Sequence, residues 1–223
     1  MSTSWPPSAD AQDEARCASP VRKASAGQPA SAPDPTRDPA ADPRCGGWQA
    51  RALCRDDLPA AAVVAMQVFV STYAGQGVSA GLAQHVLAQF SVERLVALLH
   101  APDAMVRVLW RPGEASGTPG ILGGLAVLRQ GRGAPAGPSC QVELETLYVL
   151  QALHGQGLGA ALLADAEAAV LAQWRQPLWL TVNAGNGSAI RFYQRQGFAI
   201  VGEDHFELEG ARHLNWVMSR PQG

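Results

Sequence analysis

Val142-Glu143-Leu144-Glu145-Thr146-Leu147-Tyr148-Val149 is followed, after five residues ending in His154, by Gly155-Gln156-Gly157-Leu158-Gly159-Ala160 and an alanine- and leucine-rich run to Arg175. The first eight residues have the period of two that marks a strand, which places Glu143, Glu145, Leu147 and Val149 on one face. The glycines then open a helix. A helix start leaves backbone N–H groups unbonded at the positive end of its dipole, and glycine lets a ligand approach them closely. Strand, loop and helix start therefore suit a phosphate or diphosphate. Glycine-rich turns also serve simple chain reversal, and this stretch alone leaves both readings open.

Outward from this segment, the N-terminal side reads as a strand over Trp48–Cys54, then Asp56-Asp57-Leu58-Pro59, where an aspartate cap and an early proline announce a helix to about Tyr73. Val63, Val64, Met66, Gln67 and Val70 give that helix its periodicity. A second helical region covers about Gly81 to His100, with a restart near Ser91-Val92-Glu93. Strands at Met105–Trp110 and Gly120–Arg129 flank a loop of hairpin chemistry, and a Gly/Pro-rich loop over residues 131–139 leads into the strand Cys140–Leu150. Beyond the glycine-rich helix come a strand at Pro177–Asn183, a short helix at Asn186–Gln196, and strands at Phe198–Glu207 and Arg212–Met218. This order is neither strict β/α alternation nor strands alone. The fold class is α+β (mixed α/β), with a largely antiparallel sheet.

Composition sets the boundaries. The chain has 223 residues, 47% hydrophobic and 16% charged, with a net charge of −2, which leaves no basic excess for nucleic acid. Residues 1–47 hold eight of the sixteen prolines, and their only large apolar side chains are Met1, Trp5 and Val21. Such a stretch cannot bury enough surface to offset its ordering entropy and is expected to be a disordered tail, with one domain over 48–223. No apolar run is long enough to span a membrane and no signal-peptide h-region opens the chain, so a cytoplasmic location is expected. Cys17, Cys45, Cys54 and Cys140 form no CxxC pair, and His154, His205 and His213 have no ligand spacing, so no metal is expected. Lys23, in the tail, is the only lysine. A domain without lysine has neither a Walker A loop nor a Schiff-base lysine. Gly155-x-Gly157-x-x-Ala160 fits the spacing of a dinucleotide fingerprint, but five residues separate it from the strand and Leu178–Asn183 ends without a ribose-binding acid, which disfavours a nicotinamide cofactor.

Leu147-Tyr148-Val149 with His154-Gly155-Gln156-Gly157-Leu158-Gly159, and then Asn186-Gly187-Ser188-Ala189 through Phe192-Tyr193 to Gly197-Phe198, resemble the two signatures of the GNAT superfamily of acetyl-CoA-dependent N-acetyltransferases, in order and with a strand between them. The resemblance covers Trp48 to Pro221. Within the superfamily, Arg55-Asp56-Asp57-Leu58, Phe69-Val70-Ser71-Thr72-Tyr73 and His213-Leu214-Asn215-Trp216-Val217-Met218 look most like the bacterial spermidine/spermine, protease-regulator subgroup. His154 stands where the family has Gln or Arg, Gln151 replaces a common proline, and Asn215 replaces an aspartate common in the subgroup.

The resemblance implies direct acetyl transfer from acetyl-CoA to an amine in a ternary complex. Leu147, Tyr148 and Val149 would line the pantetheine arm, with an N–H near Val149 polarising the thioester oxygen; removing a donor of that kind costs about 100- to 1000-fold in rate. His154, Gly155, Gln156, Gly157, Leu158, Gly159 and Ala160 would hold the diphosphate, and Asn186 the arm. Tyr193 takes the position of the general acid, since a phenol ionises only near about pH 10. Glu143 or Glu145 takes that of the base. Each also has a plainer reading: Tyr193 as a core aromatic beside Phe192, Asn186 as a helix N-cap, the two glutamates as charges that attract a cation. The acids Glu203, Asp204, Glu207 and Glu209 would favour a polyamine acceptor, and surface solubility accounts for them equally well. A protein N-terminal or lysine acetyltransferase and a non-catalytic acetyl-CoA-binding module remain the alternatives. A homodimer through C-terminal edge strands is a further implication of the family.

Overall fold

The computed structural model describes residues 46–75, 77–113, 118–137, 139–208 and 211–221. The expected tail lies, up to residue 45, outside the described residues, as do Lys23, Cys17, Cys45 and Glu209. Among the described residues, no helix is long and apolar enough to cross a membrane.

Seven strands, β1 (Gln49–Ala52), β2 (Ala104–Arg111), β3 (Ile121–Gln130), β4 (Val142–Val149), β5 (Leu178–Asn183), β6 (Ala199–Leu208) and β7 (Ala211–Ser219), form one sheet in the order β1-β2-β3-β4-β5-β7-β6. Every neighbouring pair is antiparallel except β4 and β5. Helices α1 (Leu58–Tyr73), α2 (Ala80–Gln89) and α3 (Val92–His100) precede β2, while α4 (Leu158–Trp174) and α5 (Gly187–Arg195) flank β5 in sequence. The mixed α/β class with a mostly antiparallel sheet is the class found.

The sheet separates two apolar layers. On one face α4 and α5 pack Leu158, Leu162, Leu163, Ala166, Val170 and Tyr193 against Ala126, Leu128, Leu144, Leu180 and Met218. On the other, α1 and α3 pack Ala61, Ala65, Leu95 and Leu98 against Val106, Val108, Leu125 and Val127. The buried stripe of α1 thus runs through Leu58, Ala61, Ala65 and Phe69, whereas Val63, expected to help define it, is 62% exposed. Small alanines let α1 sit close to the sheet, and the bulky Val63 faces water.

Helix boundaries follow their caps. Ser91 ends the second helical region and starts α3, its Oγ accepting the Arg94 N–H at 3.1 Å, and Ser79 caps α2 through the Leu82 N–H at 3.1 Å. Asp57 does not cap α1 with its side chain. Its carboxylate instead accepts both guanidinium donors of Arg51, at 2.6 and 2.9 Å, and the Cys54 N–H at 2.9 Å, tying β1 to the start of α1. Burial opposes the charge, but the Arg51 and Cys54 bonds outweigh it and hold the carboxyl at about 2. A second fork, Arg107 to Asp165 at 2.6 and 2.9 Å, fixes α4 to β2 and so orients its N-terminus.

Candidate active site

The site begins where β4 and β5 part. They share only the pairs Val142↔Leu178 and Glu143↔Trp179. Beyond Glu143 the two strands diverge, leaving a wedge with an unpaired main-chain edge on each side. The Leu150 N–H donates to the Gly123 carbonyl on β3 at 2.9 Å, so by the alternation of strand polar groups Val149 and Leu147 direct their N–H and C=O away from β3, into the wedge. These are the two residues expected to offer main-chain groups.

At the wide end of the wedge stands the glycine loop. Gly155 and Gly157 both have φ +77, a left-handed conformation that side-chain-bearing residues adopt at a cost. Consecutive amides then turn inward as a concave anion cradle. Among the described residues, no N–H from Gly155 to Ala160 donates to a carbonyl or side chain. Six adjacent amides are therefore open for an acceptor. A cleft of about 740 Å³ joins wedge and loop, lined by Leu147, Tyr148, Val149, His154, Gly155, Gly157, Leu158, Gly159, Ala160, Asn186 and Tyr193 among others. All of these were sequence candidates. Gln156 does not line it; its side-chain amide donates back to the Ala152 carbonyl at 3.4 Å.

Tyr193 is buried at the cleft wall, held edge-on between Phe192, with ring centroids 5.1 Å apart, and Phe198 at 5.8 Å. This is the packing of the core-aromatic reading, at a position on the cleft wall. Asn186 caps α5: its Oδ1 accepts the Ala189 N–H at 3.1 Å and the Ser188 hydroxyl at 3.0 Å, leaving its side-chain NH₂ uncommitted to those bonds. The His154 Nε2–H donates to the Val149 carbonyl at 2.9 Å. A carbonyl can only accept, which fixes the proton on Nε2.

The two glutamates correct the sequence reading. Thr146 opposes Val127 and Leu144 opposes Leu128, so Glu145 is an extra residue, a β-bulge, and the alternation slips by one. Leu144, Leu147 and Val149 pack in the layer of α4, and Glu145 turns to the helices on the other face, where it pairs with Arg94 of α3 at 3.4 Å. Glu143, opposite in face to Leu144, does not share a face with Leu147 and Val149. It is 7% exposed and lies at the apex of the wedge beside Trp179. Burial raises its carboxyl above the ordinary glutamate range, and the charges of Glu145 and Asp204 push the same way against Arg132 and Arg129. Neither glutamate lines the main cleft.

Sequence reasoning missed the contributions of α1 and of the end of α5. Val68, Ser71 and Thr72 close the cleft from one side, and Arg195 and Gln196 from the other. Arg195 and His154 are the basic side chains among the lining residues. Ser71 and Thr72 lay in the stretch Phe69–Tyr73 that carries part of the subgroup resemblance, but no site role was attached to them. Arg195 lay inside the quoted second signature and was not singled out.

Residues 121–220 match the model of the acetyltransferase (GNAT) domain. An uncharacterized N-acetyltransferase of Mycobacterium bovis and another of Mycobacterium tuberculosis are each 42% identical over 85 residues, 38% of this chain. The match covers 54% of each relative, so the chain spans about half the length of these curated proteins. Among solved structures, the PaiA N-acetyltransferase of Thermoplasma acidophilum in complex with coenzyme A is similar at a TM-score of 0.57 and 21% identity, over 78% of this chain and 99% of that one. Arabidopsis thaliana NAA60 with a bisubstrate analogue is similar at 0.57 and 16%, over 78% and 98%. The fold is the GNAT fold.

Proposed function

We propose that the protein is an N-acetyltransferase that moves an acetyl group from acetyl-CoA directly to the primary amine of a polyamine or another small amine. The observation that carries this reading is the six open amides of Gly155–Ala160 at the mouth of a wedge into which Leu147 and Val149 direct their main-chain groups. That pairing of an anion cradle with an unpaired strand edge suits a molecule with a diphosphate at one end and an amide-bearing arm at the other. The coenzyme A complex of the Thermoplasma structure agrees with it. In a domain without lysine, the amides, the helix dipole and Arg195 at the cleft's edge supply the positive potential for the diphosphate.

The bound cosubstrate supplies an activated acetyl thioester. Leu147 and Val149 hold the arm by strand addition, and a wedge-facing N–H polarises the thioester oxygen. Tyr193 donates a proton to the departing sulfur. Glu143, whose carboxyl is raised by burial, accepts the amine's proton through water from the apex of the wedge. Glu143, Glu145 and Asp204 share one neighbourhood with Arg129 and Arg132, and Arg94 pairs Glu145, so the local charge is balanced and the choice of a small amine rests on the resemblance of the sequence.

An acceptor panel tests the substrate class. The purified full chain is incubated with acetyl-CoA and spermidine, short alkylamines, amino acids or peptides, and products are weighed by mass spectrometry. Monoacetylated spermidine or alkylamine in preference to peptides is expected. Acetylation confined to peptide N-termini or lysines would replace this reading with the protein-acetyltransferase one.

A further inference from the structure

We propose that His154 is a positioning residue: by clipping the end of β4 to the glycine loop, it sets the open amides of that loop for a diphosphate. The inference rests on the coenzyme A reading above. Residues 151–157 have little else to hold them. Gln151, Ala152 and His154 through Gly157 are exposed, and nothing lies within 4 Å of where a side chain would project from Gly155 or Gly157. Leu153 is the loop's one anchor in the core, and it packs where Gly123 leaves room: a Cβ there would run into Leu153 and Trp48. The remaining ties are short-range: Leu153 N–H to the Leu150 carbonyl at 2.8 Å, His154 N–H to the Gln151 carbonyl at 3.0 Å, and the Gln156 side-chain amide to the Ala152 carbonyl at 3.4 Å. The first two lie before the first left-handed glycine, and the third stays within the loop and does not reach β4.

The imidazole bond is different in kind. It runs from the residue immediately before Gly155 back to the carbonyl of Val149, the last residue of β4, closing the intervening turn into a ring. It joins the two halves of the site and orders only one: Val149 is already held by its pairing with Gly124 on β3, while the histidine's own peptide leads into the amide cradle. One acceptor lone pair of the Val149 carbonyl is used, and a second remains for an amide of the arm. The domain has no lysine, and Arg195 is the cation that lines the cleft from the end of α5, so within the loop itself a phosphate meets amides, whose placement sets how well they bind it. A loop whose last three residues before the helix are unpacked needs a tether at this point.

Dissociation constants measured by calorimetry on the full chain test this, for two probes: coenzyme A, and acetylpantetheine, which has the arm but no phosphate. His154→Ala is expected to weaken coenzyme A by about tenfold, the worth of one net hydrogen bond, and to change acetylpantetheine by less than about twofold. His154→Gln, whose side-chain amide can donate to the same carbonyl, is expected to recover most of the loss. An alanine variant that binds coenzyme A as the wild type does, or that loses both probes equally, overturns the proposal. So does one that binds acetylpantetheine more tightly, since the imidazole would then be a competitor of the arm. A wild-type protein that binds neither probe overturns the coenzyme A reading, and the proposal with it.

Discussion

Glu143 and Trp179 are the last register partners that β4 and β5 share, and the wedge opens immediately beyond them. A carboxylate at that apex is removed from water by its neighbours yet stands where the two strands cease to close over each other. Its cost to stability and its proposed use as a proton acceptor have one origin. Glu143→Gln therefore separates them. Because burial raises the Glu143 carboxyl, the folded protein binds that proton more tightly than the unfolded chain does, and ionisation costs folding free energy. The wild type should lose stability as pH rises from the ordinary glutamate value near 4.5 through the raised folded-state value. Glu143→Gln should be the more stable protein at neutral pH, with the difference vanishing in acid, as read by thermal unfolding across pH.

The same variant should be slower, with the deficit largest at low pH, where deprotonating the amine is hardest. A loss of about 100-fold near pH 6 that narrows by about pH 9 is expected for a missing base. The pH–rate profile of thiol release measures it, and an unchanged profile would remove Glu143 from that role.

Much of this site was legible locally, and what was not depends on partners far away in sequence. Ser91 announced a helix restart because a cap acts within one turn, and the glycines of residues 155–159 announced a loop because their freedom is intrinsic. The slip at Glu145 left only a faint trace: the apolar positions change phase from Val142 and Leu144 to Leu147 and Val149 across the polar pair Glu145-Thr146, and it takes the register against Val127 and Leu128 to make Glu145 supernumerary. The parting of β4 from β5 is likewise a property of two strands some thirty residues apart. Asp57 was readable as polar punctuation before a helix, but its engagement by Arg51 required β1 to lie alongside.

That engagement carries its own prediction. Asp57 is held at about 2, below the ordinary aspartate value of 3.8, so its contribution to stability is complete above the latter and lost as pH falls through the former. Asp57→Asn should cost about 1–3 kcal/mol in urea unfolding at neutral pH, by weakening the Arg51 fork and the bond to Cys54. At about pH 2 the difference from wild type should shrink, because the wild-type carboxyl is itself being protonated there.

Gly157, with φ +77 and ψ −3, precedes α4 in a conformation that costs a residue with a side chain about 1–2 kcal/mol. Nothing crowds the position, so Gly157→Ala should fold with a lowered melting temperature rather than fail to fold. Any relaxation toward negative φ turns an amide out of the cradle. Calorimetry should show coenzyme A bound more weakly, by about tenfold, in the variant.

The central claim is tested most directly by thiol release from acetyl-CoA with and without an amine, in wild type and Tyr193→Phe. Tyr193 lies buried in the cleft wall between Phe192 and Phe198, where removing one hydroxyl disturbs little packing. Release that depends on the amine, and that falls by about 100-fold in the variant while coenzyme A binding is retained, is the predicted result. No release with any amine from a wild-type protein that binds coenzyme A would contradict the account and leave a binding module in place of an enzyme.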